Sequence, residues 1–379
     1  MAGRSIDELL APEVILRAVT IKKVPNTALS RLMGWALPEV ASFNIAGPSG
    51  NVVESPLRSS FYDTIRETPR IAHASVPGSP ATLVAPQITG KVPYTVPRSH
   101  EAIDLKYEDL NQRRQFGAPV TAVDTRGERY LSIQEDYLAK RQANFIEFQT
   151  AAMFRGSYTY DQQGDTLRHG FSGGGTTVNF NIPAANLTDL DMLGAGAILA
   201  ANWSTDTTDI PADLYAINDA FISLTGRGLR HVIISSVGWG YVLNCTIVKA
   251  QAGTADKAFL RLERTGEGEF EAVLKAVPWV TFHIIDYRLD DWSGSAYQSS
   301  KLVPDTKAIF LVEPDQDWVQ YGTCMETVVE GHGGPTSDRY GLYFWTEQTH
   351  QPAGRRLYSL LNGLPFLYNP LCVAYGTIA

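Results

Sequence analysis

"GERYLSIQEDYLAKRQANFIEFQTAAMFRGSY" occupies residues 127–158, and its reading decides the fold class. Leu131, Leu138, Phe145 and Ala152 recur every seven residues, with Phe148 three beyond Phe145. Side chains at these spacings share one face of an α-helix. Tyr137 adjoins Leu138, no Gly or Pro interrupts the run from Glu128 to Arg155, and Gly156 supplies a stop. The pattern predicts a helix over about 130–155, roughly 26 residues and 39 Å long. A straight helix of that length in a mixed protein serves as a spine for flanking sheets. Leu131, Leu138, Phe145 and Phe148 are its expected packing residues.

Upstream, "PRIAHASVPGSPATLVAPQITGKVPYTVPRSH" runs from Pro69 to His100 with six prolines and no acidic residue. Ile71, Val76, Leu83, Val84, Ile88, Val92, Tyr94 and Val96 are strand-forming types. Prolines this frequent confine strands to edges or short runs. If the segment doubles back once, each leg of about 18 residues projects about 60 Å. A lone two-stranded hairpin is barely stable in water. The segment therefore needs another surface, either a neighbouring subunit or its own domain. The first fifty or so residues carry a short amphipathic piece (Ile6, Leu9, Leu10, Val14, Ile15), then Pro25, Pro38 and "AGPSG". They read as an arm lying on something.

Downstream, residues 158–209 are polar and glycine-rich, with "NFNI" alternating like an edge strand. "IPADLYAINDAFISLTGRG" reads as a helix, with Pro211 in its first turn and a stripe of Leu214, Ile217, Phe221 and Leu224. Gly226 or Gly228 ends it. "RHVIISS" follows as a buried strand and "VGWGYVLN" as a short helix; "WVTFHIIDYRL" and "TKAIFLVE" are further strands. Residues 211–322 thus form a compact α/β unit. The tail, 323–379, is aromatic and strand-like.

A chain of 379 residues buries a large core in two or more subdomains. Its net charge of −8 argues against a dedicated DNA- or RNA-binding domain, though not against a shell that tolerates nucleic acid inside. Cys245, Cys324 and Cys372 lack CxxC spacing and read as buried, reduced thiols. The N-terminal residues lack the plan of a signal peptide, and no apolar run is long enough to span a membrane. The seven histidines are dispersed; His283 and Asp286 point to opposite faces of a strand. "ISSVG" lacks the leading glycine of a nucleophile elbow, and "GGG" at 173–175 lacks a following lysine. No catalytic residue, metal site or cofactor is expected, and the chain reads as a non-enzyme.

The order of these pieces resembles the lambda-type major capsid protein E family of tailed bacteriophages, with the Hong Kong 97-like fold. "PRSHEAIDLKYEDLNQRR" resembles that family's link out of its extended loop, and "DYLAKRQANFIEFQTAAMFRGSYTY" its spine helix and following turn. "HVIISSVGWGYV" resembles a strand and GW-containing helix of its axial domain. "LVPDTKAIFLVEPDQDWVQYGTCMET" and "QPAGRRLYSLLNGLPFLYNPLCVAYGTIA" are similar to its later strands.

The resemblance implies an α+β fold with an N-terminal arm (1–55) and an extended loop (56–100). A peripheral domain (101–210) would hold the spine helix, followed by an axial domain (211–322) and C-terminal peripheral strands (323–379). Ile71, Val76, Leu83, Val84, Ile88, Val92 and Tyr94 would then contact an adjacent subunit. The implied function is that of a major head protein, forming hexameric and pentameric capsomers of an icosahedral shell around double-stranded DNA. A portal protein, a scaffold and a decoration protein are the implied partners. Assembly is expected in the host cytoplasm, ending in the virion. Lys91 reads as a surface charge rather than a crosslinking lysine. An encapsulin-type compartment shell and a soluble hydrolase with a dispersed site are the alternatives.

Overall fold

A computed structural model describes residues 28–33, 52–55, 57–65, 88–109, 125–160, 176–194, 196–199, 201–252, 259–266, 269–293, 296–315, 317–329, 336–350 and 353–379. In chain order the elements begin with α1 (Ala28–Leu32), β1 (Val52–Ser55), β2 (Ser59–Ile65), β3 (Ile88–Thr95), β4 (Arg98–Lys106) and α2 (Thr125–Phe154). β5 (Ser157–Tyr160), β6 (Thr176–Asn179), β7 (Leu187–Thr188), α3 (Ile210–Thr225) and β8 (Leu229–Ile234) come next. Then follow α4 (Ser236–Asn244), α5 (Thr246–Ala252), β9 (Phe259–Gly266), β10 (Glu269–Leu274) and β11 (Thr281–Ile285). The chain closes with β12 (Arg288–Ser293), β13 (Ala296–Lys301), β14 (Lys307–Val312), β15 (Val319–Val329), β16 (Thr336–His350), β17 (Ala353–Leu367) and β18 (Val373–Thr377).

Two compact units result. The first draws on residues 1–60, 95–149 and 321–365. Its sheet has the order β1-β15-β16-β17-β4. β16 and β17 are antiparallel, with Leu342 opposite Leu361 and Trp345 opposite Tyr358. β4 adds antiparallel to β17, with His100 opposite Leu360. β1 is parallel to β15. Side chains alternate across a pleated strand, so Leu357, Ser359 and Leu361 share one buried face of β17. Helix α2 lies along that face.

The second unit draws on residues 61–94, 150–320 and 366–379. Its mixed sheet has the order β7-β18-β14-β8-β11-β10-β9. Val232, Ile234, Phe282 and Phe310, each fully buried, lie on one face at its centre. Helix α3 starts where the Asp209 carboxylate accepts from Ala212 N, and stops at Gly226, whose φ of 74° favours glycine. In α4, Ser235 caps the N-terminus and Trp239 meets Phe282 at 5.4 Å between ring centroids.

Several expectations need correction. The spine helix starts at Thr125 and runs 30 residues, through Gly127, because a single early glycine costs only about 1 kcal/mol. The expected loop boundary at 100 falls inside β4, which belongs to the five-stranded sheet. Residues 150–210, expected in the peripheral domain, group with the seven-stranded sheet. "NFNI" is not a strand. β6 ends at Asn179, whose side chain accepts from Asn181 N, and Asn181 takes φ 56°. "WVTFHIIDYRL" breaks after Ile285, where the Asp286 carboxylate turns to accept from Ser236 N. Lastly, the chain end leaves the long-stranded sheet: Pro370 opens a 3-10 turn, and β18 pairs with β14.

Candidate assembly surfaces

Helix α2 carries one stripe at alternating spacings of four and three: Leu131, Glu135, Leu138, Gln142, Phe145, Gln149, Ala152. All seven are buried. Leu131, Leu138 and Phe145 belong to this stripe, and Phe148 beside it is also buried. The interleaved polar members escaped sequence reasoning. Buried polar side chains need partners, and the two glutamine amides find theirs on strands of the sheet. Gln142 Nε2 donates to Ser359 Oγ at 2.8 Å, and Gln149 Nε2 donates to the Gly363 carbonyl at 2.8 Å. Tyr321 Oη donates to Gln149 Oε1, also at 2.8 Å. Apolar contacts alone would let a helix slide along a sheet; directed bonds fix its register. Beside them, Glu147 Oε1 accepts from Leu29 N at 2.9 Å, docking α1, whose Leu29 and neighbouring Met33 are fully buried. Residues 1–27 of the expected arm lie outside the described residues, Ile6 to Ile15 among them.

The β2–β3 hairpin has two unlike faces. Tyr62, Thr64, Val92 and Tyr94 are buried. Tyr62 and Tyr94 pack on Phe366, with ring centroids 5.1 and 4.8 Å away, and Tyr62 meets Tyr368 edge-on. Burial pushes the Tyr62 hydroxyl well above the usual tyrosine range. Val92 and Tyr94, expected on a neighbour, are therefore covered by their own chain. The alternation of the strand explains this: Phe61, Asp63, Lys91 and Pro93 point the other way and are exposed. Lys91 Nζ lies 4.4 Å from the centre of the Phe61 ring. Ile88 opens β3, and Ile71, Val76, Leu83 and Val84 lie outside the described residues.

On the five-stranded sheet, the face away from α2 carries an aromatic ladder. Tyr343, Trp345, Tyr358 and His100 stack with centroids 4.9 to 5.6 Å apart. Arg356, on the same side of β17, pairs with Asp104 and holds its carboxyl below the usual carboxylate range. Tyr358 Oη donates to Glu347 at 2.9 Å.

The second unit holds two polar clusters. Asp213 accepts from Trp203 Nε1 at 2.9 Å, yet burial, aided by nearby Asp209, raises its pKa to about 6. His231 Nδ1 and His283 Nε2 are 3.0 Å apart, although 52 residues separate them in sequence. Among the described residues, no group of three or more His, Cys, Asp or Glu side chains is placed to hold a metal. Cys245, Cys324 and Cys372 are buried thiols. No helix of the described residues is long and apolar enough to cross a membrane.

A family model described as phage major capsid protein E matches residues 52–378. No curated protein matches the chain. Among solved structures, a protein assigned as a prophage capsid protein of E. coli CFT073 shares 11% identity over 100% of both chains, with a TM-score of 0.56. A phage-related protein of Bordetella bronchiseptica RB50 shares 10% identity over 100% of this chain and 98% of its own, at a TM-score of 0.48. The SrpI encapsulin of Synechococcus elongatus PCC 7942 shares 11% over 86% and 85%, at 0.42.

Proposed function

The chain belongs to the phage major capsid protein E family, and from that premise we infer how its pieces serve a shell. It is a bacteriophage major capsid protein, a structural component of the virion capsid. The family match over residues 52–378 carries this reading.

In our reading, subunits gather as hexameric and pentameric capsomers and close around double-stranded DNA without reading its sequence. The first unit acts as the peripheral domain and much of residues 150–320 as the axial domain. Ile71, Val76, Leu83 and Val84, from the expected loop between β2 and β3, are kept as proposed contacts with an adjacent subunit, its prolines being a guard against runaway edge pairing. The exposed hairpin residues Phe61, Lys91 and Pro93 replace Val92 and Tyr94 as candidate contacts. Assembly takes place in the host cytoplasm, with a portal protein, a scaffold and a decoration protein as partners. The chain performs no catalysis.

Sedimentation of a lysate from cells producing the phage tests this. The chain should travel with nuclease-resistant double-stranded DNA in a fast-sedimenting band. Recovery only in slow fractions, or in shells without a genome as for an encapsulin, would overturn it.

A further inference from the structure

A line of charged and titratable side chains crosses one face of the seven-stranded sheet. Glu313, just past β14, lies 3.1 Å from His231 Nε2. His231 Nδ1 faces His283 Nε2 at 3.0 Å. His283 Nδ1 lies 3.6 Å from Glu271 Oε1 in β10. Glu271 in turn pairs with Arg261 of β9 at 2.8 Å, and Arg261 also reaches Glu263. Strand register creates this line. His283 sits opposite Glu271, while the parallel pairing of β11 with β8 puts Thr281 beside His231.

The ring nitrogens restrict how protons can be arranged. A carboxylate only accepts, so Glu313 calls for a proton on His231 Nε2. His231 Nδ1 is then a bare acceptor, and His283 Nε2 must donate to it. The ring centroids, 5.1 Å apart, agree with two nitrogens meeting nearly head-on across one hydrogen bond. One proton position stays vacant: His283 Nδ1, which faces the Glu271 carboxylate. Filling it completes the row Glu271, His283, His231, Glu313, with one positive charge between two negative ones. A second added proton would set two N–H groups against each other at 3.0 Å.

We propose that His231 and His283 form a one-proton clasp that ties the β9–β10 hairpin to the centre of the sheet. The other charges facing the pair fit this. Burial lowers the pKa of His231, and Arg230 beside it adds to that against the pull of Glu313 and Glu271. His231 therefore stays neutral and His283 takes the charge. Glu269 shares the face of Glu271 one pleat away, and Arg227 is engaged by Asp315 and Asp317. The sign follows from proton counts. Above the ordinary histidine value of about 6.5 the folded pair holds its proton more tightly than the unfolded chain, so stability is lost as pH rises. Well below that value the unfolded chain binds two protons and the clasp one, so stability falls again. The clasp is tightest near pH 6.5, on the order of that ordinary value.

Imidazole 15N NMR of the unassembled full-length protein tests the clasp without any substitution. His231 should keep its proton on Nε2 and stay neutral while His283 takes up one proton at Nδ1. Amide exchange should report slower opening of residues 259–266 and 269–274 near pH 6.5 than near pH 8.5, by about fivefold if the clasp holds its proton about tenfold more tightly than the open hairpin, whose histidine is already half protonated at pH 6.5. Glu271→Gln should erase that difference and lower the His283 titration midpoint. Two histidines titrating independently to full charge would overturn the clasp, as would exchange indifferent to pH. So would equimolar Zn2+ or Ni2+ binding between the rings, since a metal would then fill the gap.

Discussion

Gln149 donates to the main-chain carbonyl of Gly363 at 2.8 Å across 214 residues of sequence, and the same side chain accepts from Tyr321. A buried donor left without a partner costs about 1–3 kcal/mol beyond the bond it loses. Gln149→Leu should therefore destabilise the first unit by about 2–4 kcal/mol. Tyr321→Phe in the same chain should recover part of the loss, because it removes the stranded hydroxyl. Denaturant unfolding of the four combinations measures the coupling. Additive losses would show that the two side chains do not act together.

This bond also marks what the sequence could and could not show. Leu131, Leu138 and Phe145 announced the helix because apolar periodicity reflects burial directly. Glu135, Gln142 and Gln149 share the same stripe, but polar residues on a helix are usually solvated, and the partners of Gln142 and Gln149 lie in β15 and β17. Only the four-three spacing between them and the leucines could have raised the suspicion. The two faces of the β2–β3 hairpin were open to the same argument. Val92 and Tyr94 alternate with Lys91 and Pro93, so one pair had to face inward. Which pair faced inward depended on Phe366 and Tyr368, far along the chain. The His231–His283 contact depends on strand order, to which local sequence gives no access.

Asp213 offers a pH test. Its folded pKa of about 6 stands above the ordinary 3.8, so the folded state binds the proton more tightly than the unfolded state. This group therefore lends stability as pH falls from about 7 towards 4, and withdraws it as pH rises through about 6. Asp213→Asn keeps an oxygen for Trp203 Nε1 and removes the buried charge. It should raise stability at pH 7 by about 1 kcal/mol, after discounting for partial solvent access, with no gain near pH 4. Thermal unfolding of unassembled protein at both pH values gives the difference. An equal effect at both would mean that the charge is not the cause.

Replacing residues 66–87 with a short Gly-Ser turn should separate folding from assembly. Tyr62 and Tyr94 would still pack on Phe366, so Tm should stay within about 3 °C of the parent. Shell formation should fail if the removed residues supply the proposed contacts with another subunit. Normal shells in sedimentation would remove the basis for that assignment.

Lys91 is engaged with the Phe61 ring of its own hairpin. Covalent crosslinking through it is therefore not expected. Mature particles boiled in detergent should release one band near 41.6 kDa, or slightly less if the N-terminal residues are trimmed. Lys91→Met should leave that pattern unchanged. A ladder of multimers that resists reducing agent and disappears in Lys91→Met would contradict the expectation.

Electron microscopy of the purified protein, produced alone and together with the proposed scaffold, addresses the central claim most directly. Closed icosahedral shells of uniform diameter, built from hexameric and pentameric capsomers, are the predicted result. A field of discrete small particles of single-subunit mass, with no shells across protein concentration and ionic strength, would contradict it.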